Sequence, residues 1–490
     1  MASSSKVDLM HHLSAETLGR KPNPMKAIGR LIKPKMISLA NGDPHFSFYP
    51  INKIQFEIAS VDVKDPVASW RSASSDAPSC TLSSSRQSSS RQSSQGLSLR
   101  NSLGYTNATG IPQAQQTLID LTKHYHSPPD HMSVMTLGNG DAISKCFRLL
   151  ANRGDNFLAD EFTFTSATNS GESFGINWVP VRIDSGGIMP DVLEKILSTW
   201  DPARGRRPHV LYIVPCGQNP TGSTLTLERR KEIYEIAQRF DLIIIEDDPY
   251  YFLRYTDPAS DSDESFIPSF LSMDVDGRVI RLDSFSKIIA PGMRFGWVTC
   301  NPVFYEHLVS LTDSSTHHPH AFGQILVTEL LSAHGWQLAG FDRWVRSLRD
   351  DYQRRRDFLL SLYARELGGT GYTTASAPAA GMFVWIRVNL ERHTRFRSDV
   401  RVVGGDPAGP RTNVGPLMQE LFESCLDAGL VVMPGFVFAL RADPEYDDLD
   451  DPIEDRVNYV RVTFAGTEEI MEQGMSILGR VVKEFFACES

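Results

Sequence analysis

One lysine is set among hydroxyls and is followed seven residues later by an arginine, in Arg281-Leu-Asp-Ser-Phe-Ser-Lys287-Ile-Ile-Ala-Pro-Gly-Met-Arg294. A lysine that bonds covalently to a carbonyl must be held beside it and kept from permanent protonation, which burial and cationic surroundings achieve. If that carbonyl belongs to a phosphorylated cofactor, the partners expected are the two hydroxyl donors Ser284 and Ser286 and the guanidinium fork of Arg294. Taken alone, the stretch fits a surface lysine in a polar loop better. Its weight comes from its neighbours in the chain.

Three more segments carry related chemistry. Ser133-Val-Met-Thr-Leu-Gly-Asn-Gly140 reads as a strand that breaks at glycines and enters a helix over 141–150. A strand, a glycine turn and a helix N-terminus form an anion site, because free backbone N–H groups and the helix dipole point to one place. Ile143 stands where a dinucleotide fingerprint needs its third glycine, and no Gly-Lys-Ser/Thr follows, so a nucleotide is not the first choice of phosphate. Asn219-Pro-Thr-Gly222 ends a second strand and Asp247-Asp-Pro-Tyr250 a third.

The elements that must position these residues alternate between strand and helix from Gly104 onward. Helices are expected over 113–124, 190–199 and 227–240, the last with Thr226 as N-cap and Glu228 in its first turn. Apolar runs at 209–214 and 242–245 read as buried strands. Uninterrupted apolar strands between amphipathic helices indicate a mainly parallel sheet covered on both faces, with function at the carboxyl ends of its strands. Beyond about 325 a smaller α+β unit is expected, with a charged helix over 343–366 and strands at 382–388, 430–433 and 459–464. Before the sheet, residues 1–36 form a basic, proline-broken arm, and 36–45 a short strand running into a turn at Gly42, where backbone can come close to a ligand. Residues 72–99 are dominated by serine, a composition that buries too little apolar surface to offset its ordering entropy, and are expected to be a disordered surface insertion.

Composition bounds the alternatives. A chain of 490 residues is too long for one ordinary core and suggests two domains, and 41% hydrophobic with 22% charged content is that of a soluble globular protein. A formal net charge of −10 argues against a phosphate-backbone partner, so no nucleic acid is expected. The six cysteines are scattered without a C-x-x-C, which points to a reducing compartment and no structural zinc. The histidine pairs His11-His12 and His317-His318 are adjacent and do not share a helix face, so no metal is expected. No apolar run approaches the length of a membrane span, and the N-terminus has no secretory pattern, leaving a cytoplasmic location as the expectation.

Together these motifs resemble the fold-type-I, pyridoxal-phosphate-dependent class I/II aminotransferases. Within them the chain is most similar to the kynurenine/2-aminoadipate and fungal aromatic amino-acid enzymes. The likeness runs from Leu13-Ser-Ala-Glu16 and Arg20-Lys-Pro-Asn-Pro-Met-Lys26, through Ile37-Ser-Leu39 and the central motifs, to Tyr459-Val-Arg-Val-Thr-Phe464. It implies an α/β fold, a large domain with a mainly parallel seven-stranded sheet between helices plus a smaller α+β domain. The chain then divides into an arm with part of the small domain (1–71), the insertion (72–100), the cofactor domain (101–325) and the C-terminal small domain (326–490).

The resemblance also implies roles. Lys287 would form the Schiff base with pyridoxal 5'-phosphate and then carry a proton as general base and acid. Asp247 would keep the ring nitrogen protonated so that the ring accepts electrons, and Asn219 and Tyr250 would donate to its 3-oxygen. Asn139, Gly140, Asp141, Ser284, Ser286 and Arg294 would hold the phosphate, with Tyr105 reaching it from a partner subunit, so a homodimer with shared sites is implied. Phe164 would stack on the ring, Arg461 would grip the substrate α-carboxylate, and Gly42 and Lys26 match segments that close over the substrate. Asn139-Gly140 replaces a Ser-Gln pair seen in some relatives, leaving more of the phosphate contact to backbone N–H groups.

The reaction implied is amino transfer between an aromatic or 2-aminoadipate-like amino acid and a 2-oxo acid such as 2-oxoglutarate. A lyase or synthase acting on the same cofactor adduct, of the C–S lyase or aminocyclopropane-carboxylate-synthase kind, uses the same residues for proton removal and stays open. A ligand-sensing module fused to a DNA-binding domain is disfavoured, because residues 1–36 are too short and proline-broken for a helix-turn-helix.

Overall fold

The computed structural model describes residues 7–21, 23–29, 31, 36–37, 39, 42–72, 77–86, 97–255, 266–400, 409–441 and 451–487. Strands Lys53–Ala59 (β1) and Ser79–Ser85 (β2) pair antiparallel, Phe56 opposite Leu82. The expectation of disorder across the serine-rich stretch therefore fails over β2. The physical reason is alternation: Leu82 and Ser84 are buried, and the Ser84 hydroxyl donates to Glu329 Oε1 at 3.0 Å. Short serine side chains satisfied in this way occupy a strand as readily as a loop. Residues 73–76 and 87–96 lie outside the described residues.

Seven strands follow: Met132–Thr136 (β3), Asn156–Asp160 (β4), Asn177–Val181 (β5), Val210–Ile213 (β6), Ile243–Asp247 (β7), Val279–Ser284 (β8) and Gly296–Cys300 (β9). They form one sheet in the order β3-β9-β8-β7-β6-β4-β5. Strand β8 runs parallel to β7, and β4 runs parallel to β5 and β6, while β9 is antiparallel to both its neighbours. The sheet is thus mainly parallel, as the buried apolar runs required; β6, β7 and β8 have every residue buried. The helix Leu227–Phe240 starts where its sequence signals it, the Thr226 hydroxyl accepting the Arg229 N–H at 3.2 Å.

Two compact units partition the chain. The first comprises Met1–Arg153, Ile243–Phe252 and Pro268–Leu348; the second comprises Gly154–Leu242, Leu253–Ile267 and Arg349–Ser490. The second unit contains a further antiparallel sheet of Thr373–Ala375 (β10), Phe383–Val388 (β11), Met433–Pro434 (β12) and Tyr459–Thr463 (β13), in the order β10-β11-β13-β12. One face of this sheet buries Val384, Ile386 and Val460 in a core with Leu417, Leu421, Met475 and Leu478. Its other face carries Trp385 stacked on Tyr459 at 5.0 Å between ring centroids. The strand expected over 430–433 is reduced to Met433–Pro434, with Val431 exposed. Among the described residues no helix is long and apolar enough to cross a membrane.

Inside the first unit a charge cluster takes the place of apolar packing. Arg281 on β8 is fully buried, 3.1 Å from Glu246 Oε1, 3.3 Å from Asp248 Oδ2 and 2.9 Å from Asp283 Oδ1. Glu246 also accepts the backbone N–H groups of Phe270 and Leu271 at 2.9 and 3.1 Å, which ties the cluster to a neighbouring helix. One cation faces three carboxylates. Burial pushes the Asp283 carboxyl up from 3.8 to about 6, against the pull of Arg281. Because the folded value lies above the unfolded one, this contribution to stability is fully present below pH 3.8 and is lost as the pH rises through about 6. Denaturant titrations should therefore show a fall in stability between those pH values that Asp283→Asn flattens. Arg281→Met, which strands three buried carboxylates, should cost about 3–5 kcal/mol at pH 8 and recover part of that loss at pH 5.

Candidate active site

The first unit assembles a phosphate-sized set of donors. The helix predicted to begin after the glycines begins within them, at Asn139 (Asn139–Leu150), and its N-cap Gly138 has φ +89° and contributes no side chain. The first-turn N–H groups of Asn139, Gly140 and Asp141 therefore lie at the positive end of a helix that no side chain caps. A Cβ on Gly138 would lie 2.8 Å from Nη2 of Arg294, so the guanidinium packs directly against the helix entrance. Gly296 draws the parts together in the same way: a Cβ there would meet Gly138 Cα at 3.2 Å and Ser284 Cα at 3.4 Å. The Ser284 hydroxyl donates to Ser286 Oγ at 2.8 Å, and Arg294 Nη1 reaches Ser286 Oγ at 3.5 Å. Backbone donors, two hydroxyls and a guanidinium form a set whose chemistry fits a phosphate.

Asp247 ends β7 and is buried, as is Tyr250 in the turn after it. The Asn139 side chain, expected at the phosphate, is turned instead to Asp247, its Nδ2 donating to Oδ1 at 2.5 Å. The Asp141 carboxylate is likewise engaged locally, accepting from Leu137 N–H, just before the helix, at 3.0 Å and from Lys145 Nζ within it at 2.7 Å. What these two residues offer an anion is backbone. Lys287 closes the short 3-10 helix Phe285–Lys287 and is half-buried. Tyr105 is 68% exposed, and Gly42 is exposed with nothing within 4 Å of a Cβ position. The Tyr105 ring neighbours those of His317 and His318, at 6.2 and 6.3 Å between centroids. The side chain of Lys26 lies outside the described residues, although its helix Pro24–Gly29 is described.

The second unit holds the remaining residues. Arg461 on β13 donates through Nη1 to Asn219 Oδ1 at 2.5 Å, and its guanidinium packs on the rings of Phe383 and Phe438, 4.2 and 4.9 Å from their centroids. Phe164 is half-buried and precedes the helix Thr165–Phe174 as its N-cap. The turn that bears Asn219 is wedged tightly: a Cβ on Gly217 would fall 2.4 Å from Gly381 Cα. Beside it, burial pushes Asp160 at the end of β4 up to about 8, against the hydrogen bond it receives from Gln218.

Sequence reasoning passed over the Arg281 cluster, the Phe383 and Phe438 rings on Arg461, and Gln218. An arginine inside an otherwise apolar strand, two residues before Asp283, was a signal for the first. The others depend on contacts between residues far apart in the chain, for which local spacing carries no sign.

Comparison with known proteins decides the family. The model of aminotransferase class I and II matches residues 76–478. The chain belongs to the class I and II aminotransferases. An L-tyrosine:2-oxoglutarate aminotransferase of Serpula lacrymans is 48% identical, covering 99% of this chain and 97% of its own, and one of Tapinella panuoides is 44% identical over 98% and 97%. An aminotransferase structure from Candida albicans superposes with a TM-score of 0.84 at 29% identity, covering 99% of both chains. This aminotransferase accordingly has the fold and the enzyme class that its motifs indicated, and the family implies pyridoxal phosphate as cofactor.

Gly138 tests the cradle. Alanine there would bring strain of about 1–3 kcal/mol from a positive-φ, extended backbone conformation essentially reserved for glycine, together with a displaced Arg294. Absorbance titration of apo Gly138→Ala should show pyridoxal phosphate binding weakened about tenfold or more, while binding of phosphate-free pyridoxal changes little.

Proposed function

We propose that this aminotransferase moves the amino group of an aromatic amino acid, tyrosine first among the candidates, to 2-oxoglutarate, on a pyridoxal phosphate bound by the residues above. The observation that carries the reading is the pairing of Arg461 with Asn219 beside two phenyl rings, a carboxylate grip in an aromatic setting. Support for tyrosine comes from the two fungal relatives, each named for tyrosine and 2-oxoglutarate and each matching over nearly its whole length.

The cofactor supplies an electron-accepting ring at which the bond between Cα and its proton is weakened. The protein does the rest. Lys287 takes that proton and returns it to the neighbouring carbon, acting as base and then as acid. Asp247, oriented by Asn139, presents its carboxylate to the ring nitrogen. Because Asn219 Oδ1 accepts from Arg461, its amide nitrogen remains the donor for the ring's 3-oxygen, alongside Tyr250. The N–H groups of Asn139, Gly140 and Asp141, with Ser284, Ser286 and Arg294, hold the phosphate, and Phe164 stacks on the ring. Gly42 belongs to the segment that covers the substrate.

Tyr105 is exposed, and so are Met36, Ile37 and Leu39 in the N-terminal segment; this supports a homodimer in which a second copy covers the arm and receives Tyr105 at its phosphate. A reducing, cytoplasmic setting accords with the five cysteines among the described residues, which are all free.

Screening the proteinogenic amino acids against 2-oxoglutarate should show highest turnover with tyrosine and phenylalanine, and Lys287→Ala should abolish it. Borohydride treatment followed by peptide mass spectrometry should place a pyridoxyl group on Lys287. Ammonia and pyruvate released without need of a 2-oxo acid would instead identify a lyase.

A further inference from the structure

In the second unit Asn219, and through it Arg461, depends on a turn whose own support has been given no role. Gln218, immediately before Asn219, is 1% exposed, and each polar atom of its side chain is used. Oε1 accepts both the backbone N–H and the hydroxyl of Thr221, at 2.9 and 2.7 Å, closing the turn on its far side. Nε2 donates to the carbonyl of Phe162 at 2.5 Å, fastening the turn to the chain that leaves β4. Its backbone completes the frame: Gln218 N–H donates to Ser223 O at 2.9 Å, and its carbonyl accepts from Gly222 N–H at 2.7 Å.

The segment that Gln218 grips also orients Arg461 from the other side. Thr163 N–H donates to Phe438 O at 3.1 Å, one residue after the gripped carbonyl, and the Phe438 ring lies 4.9 Å from the Arg461 guanidinium. Asn219 then accepts from the same guanidinium. The constraints form a ring: Gln218 to Phe162, Thr163 to Phe438, Phe438 to Arg461, Arg461 to Asn219, and Asn219 back to Gln218 through one peptide bond. A ring of this kind sets two of the contacts that fix the guanidinium plane, and the bidentate grip of a carboxylate is sensitive to that plane.

We propose that Gln218 is a positioning residue for carboxylate recognition, holding Asn219 and the Phe438 segment so that Arg461 presents its in-plane donors to the substrate. The proposal rests on the assignment of Arg461 as the carboxylate grip.

The test compares holoenzyme variants by steady-state kinetics and by calorimetric binding of 3-phenylpropionate, a carboxylate that has no amino group to transfer. Gln218→Met keeps the volume and removes the polar clamp. It should raise KM for tyrosine and 2-oxoglutarate, and Kd for 3-phenylpropionate, by about tenfold, with kcat changed less than about threefold and the cofactor's visible band retained. Thr221→Val should reproduce part of the rise and Thr221→Ser should not. The double variant Gln218→Met/Thr221→Val should be no worse than Gln218→Met alone, because both break one clamp. Unchanged KM and Kd in Gln218→Met, or a drop in kcat and melting temperature alone, would overturn the positioning role. If Gln218→Met does not fold, Thr221→Val against Thr221→Ser decides: equal Kd values for the two overturn it. Arg461→Gln separates the premises, since its failure to weaken 3-phenylpropionate binding sinks the carboxylate-grip assignment, whereas weakened binding there beside an unaffected Gln218→Met sinks the clamp alone.

Discussion

A helix that begins without a side-chain cap needs acceptors for its first N–H groups, and that requirement organises the first unit. The helix Asn139–Leu150 starts at a glycine whose positive φ excludes most side chains. The two side chains of its first turn that could have satisfied its own donors are turned elsewhere, Asn139 to Asp247 and Asp141 to Lys145. Around that end stand Arg294, packed where a Cβ would be, and Ser284, brought close because Gly296 is bare. Each of these features is intelligible as service to one anion, and any one of them alone would be an ordinary loop.

The same geometry links cradle and ring chemistry through a single side chain. Asn139 contributes its backbone to the helix end and its amide to the Asp247 carboxylate, so a shift of the helix entrance moves the carboxylate proposed to meet the ring nitrogen. Behind this surface the Arg281 cluster anchors the ends of β7 and β8 with charge instead of packing. A buried cluster of that kind is weak ground for extra stability, because desolvation offsets most of the attraction. Its value is geometric. Glu246, Asp248 and Asp283 meet one planar guanidinium, and so the strands that carry Asp247 and Ser284 are held in a single register.

Much of this was legible in the chain. Buried strands β6, β7 and β8 announce themselves as apolar runs, the Thr226 cap marks its helix, and Lys287, Asp247 and Asn219 stand out by type and spacing, whereas Arg461 stands out only through the family resemblance. What escaped follows from physics that local pattern does not encode. Strand β2 was hidden because serine has low intrinsic preference for strands, and burial of Leu82 with a satisfied Ser84 overrode it. The roles of the Asn139 and Asp141 side chains were hidden because a short polar side chain at a helix start can face either a ligand or a neighbouring residue, and partners such as Asp247 lie over a hundred positions away.

The carboxylate grip proposed for the second unit takes more than placing an arginine. Arg461 carries three constraints: an amide oxygen on one nitrogen and two phenyl rings packed on the guanidinium. The rings exclude water and lower the local dielectric, which strengthens an ionic contact made in the plane of the group. They also leave in-plane approach as the favourable route, the one along which a carboxylate makes two parallel hydrogen bonds. In the grip proposed for Arg461, specificity for an α-carboxylate is built from the orientation of the guanidinium, and the proposed clamp passes that orientation on from a turn beginning at Gln218 and a backbone segment at Thr163, neither of which needs to meet the substrate.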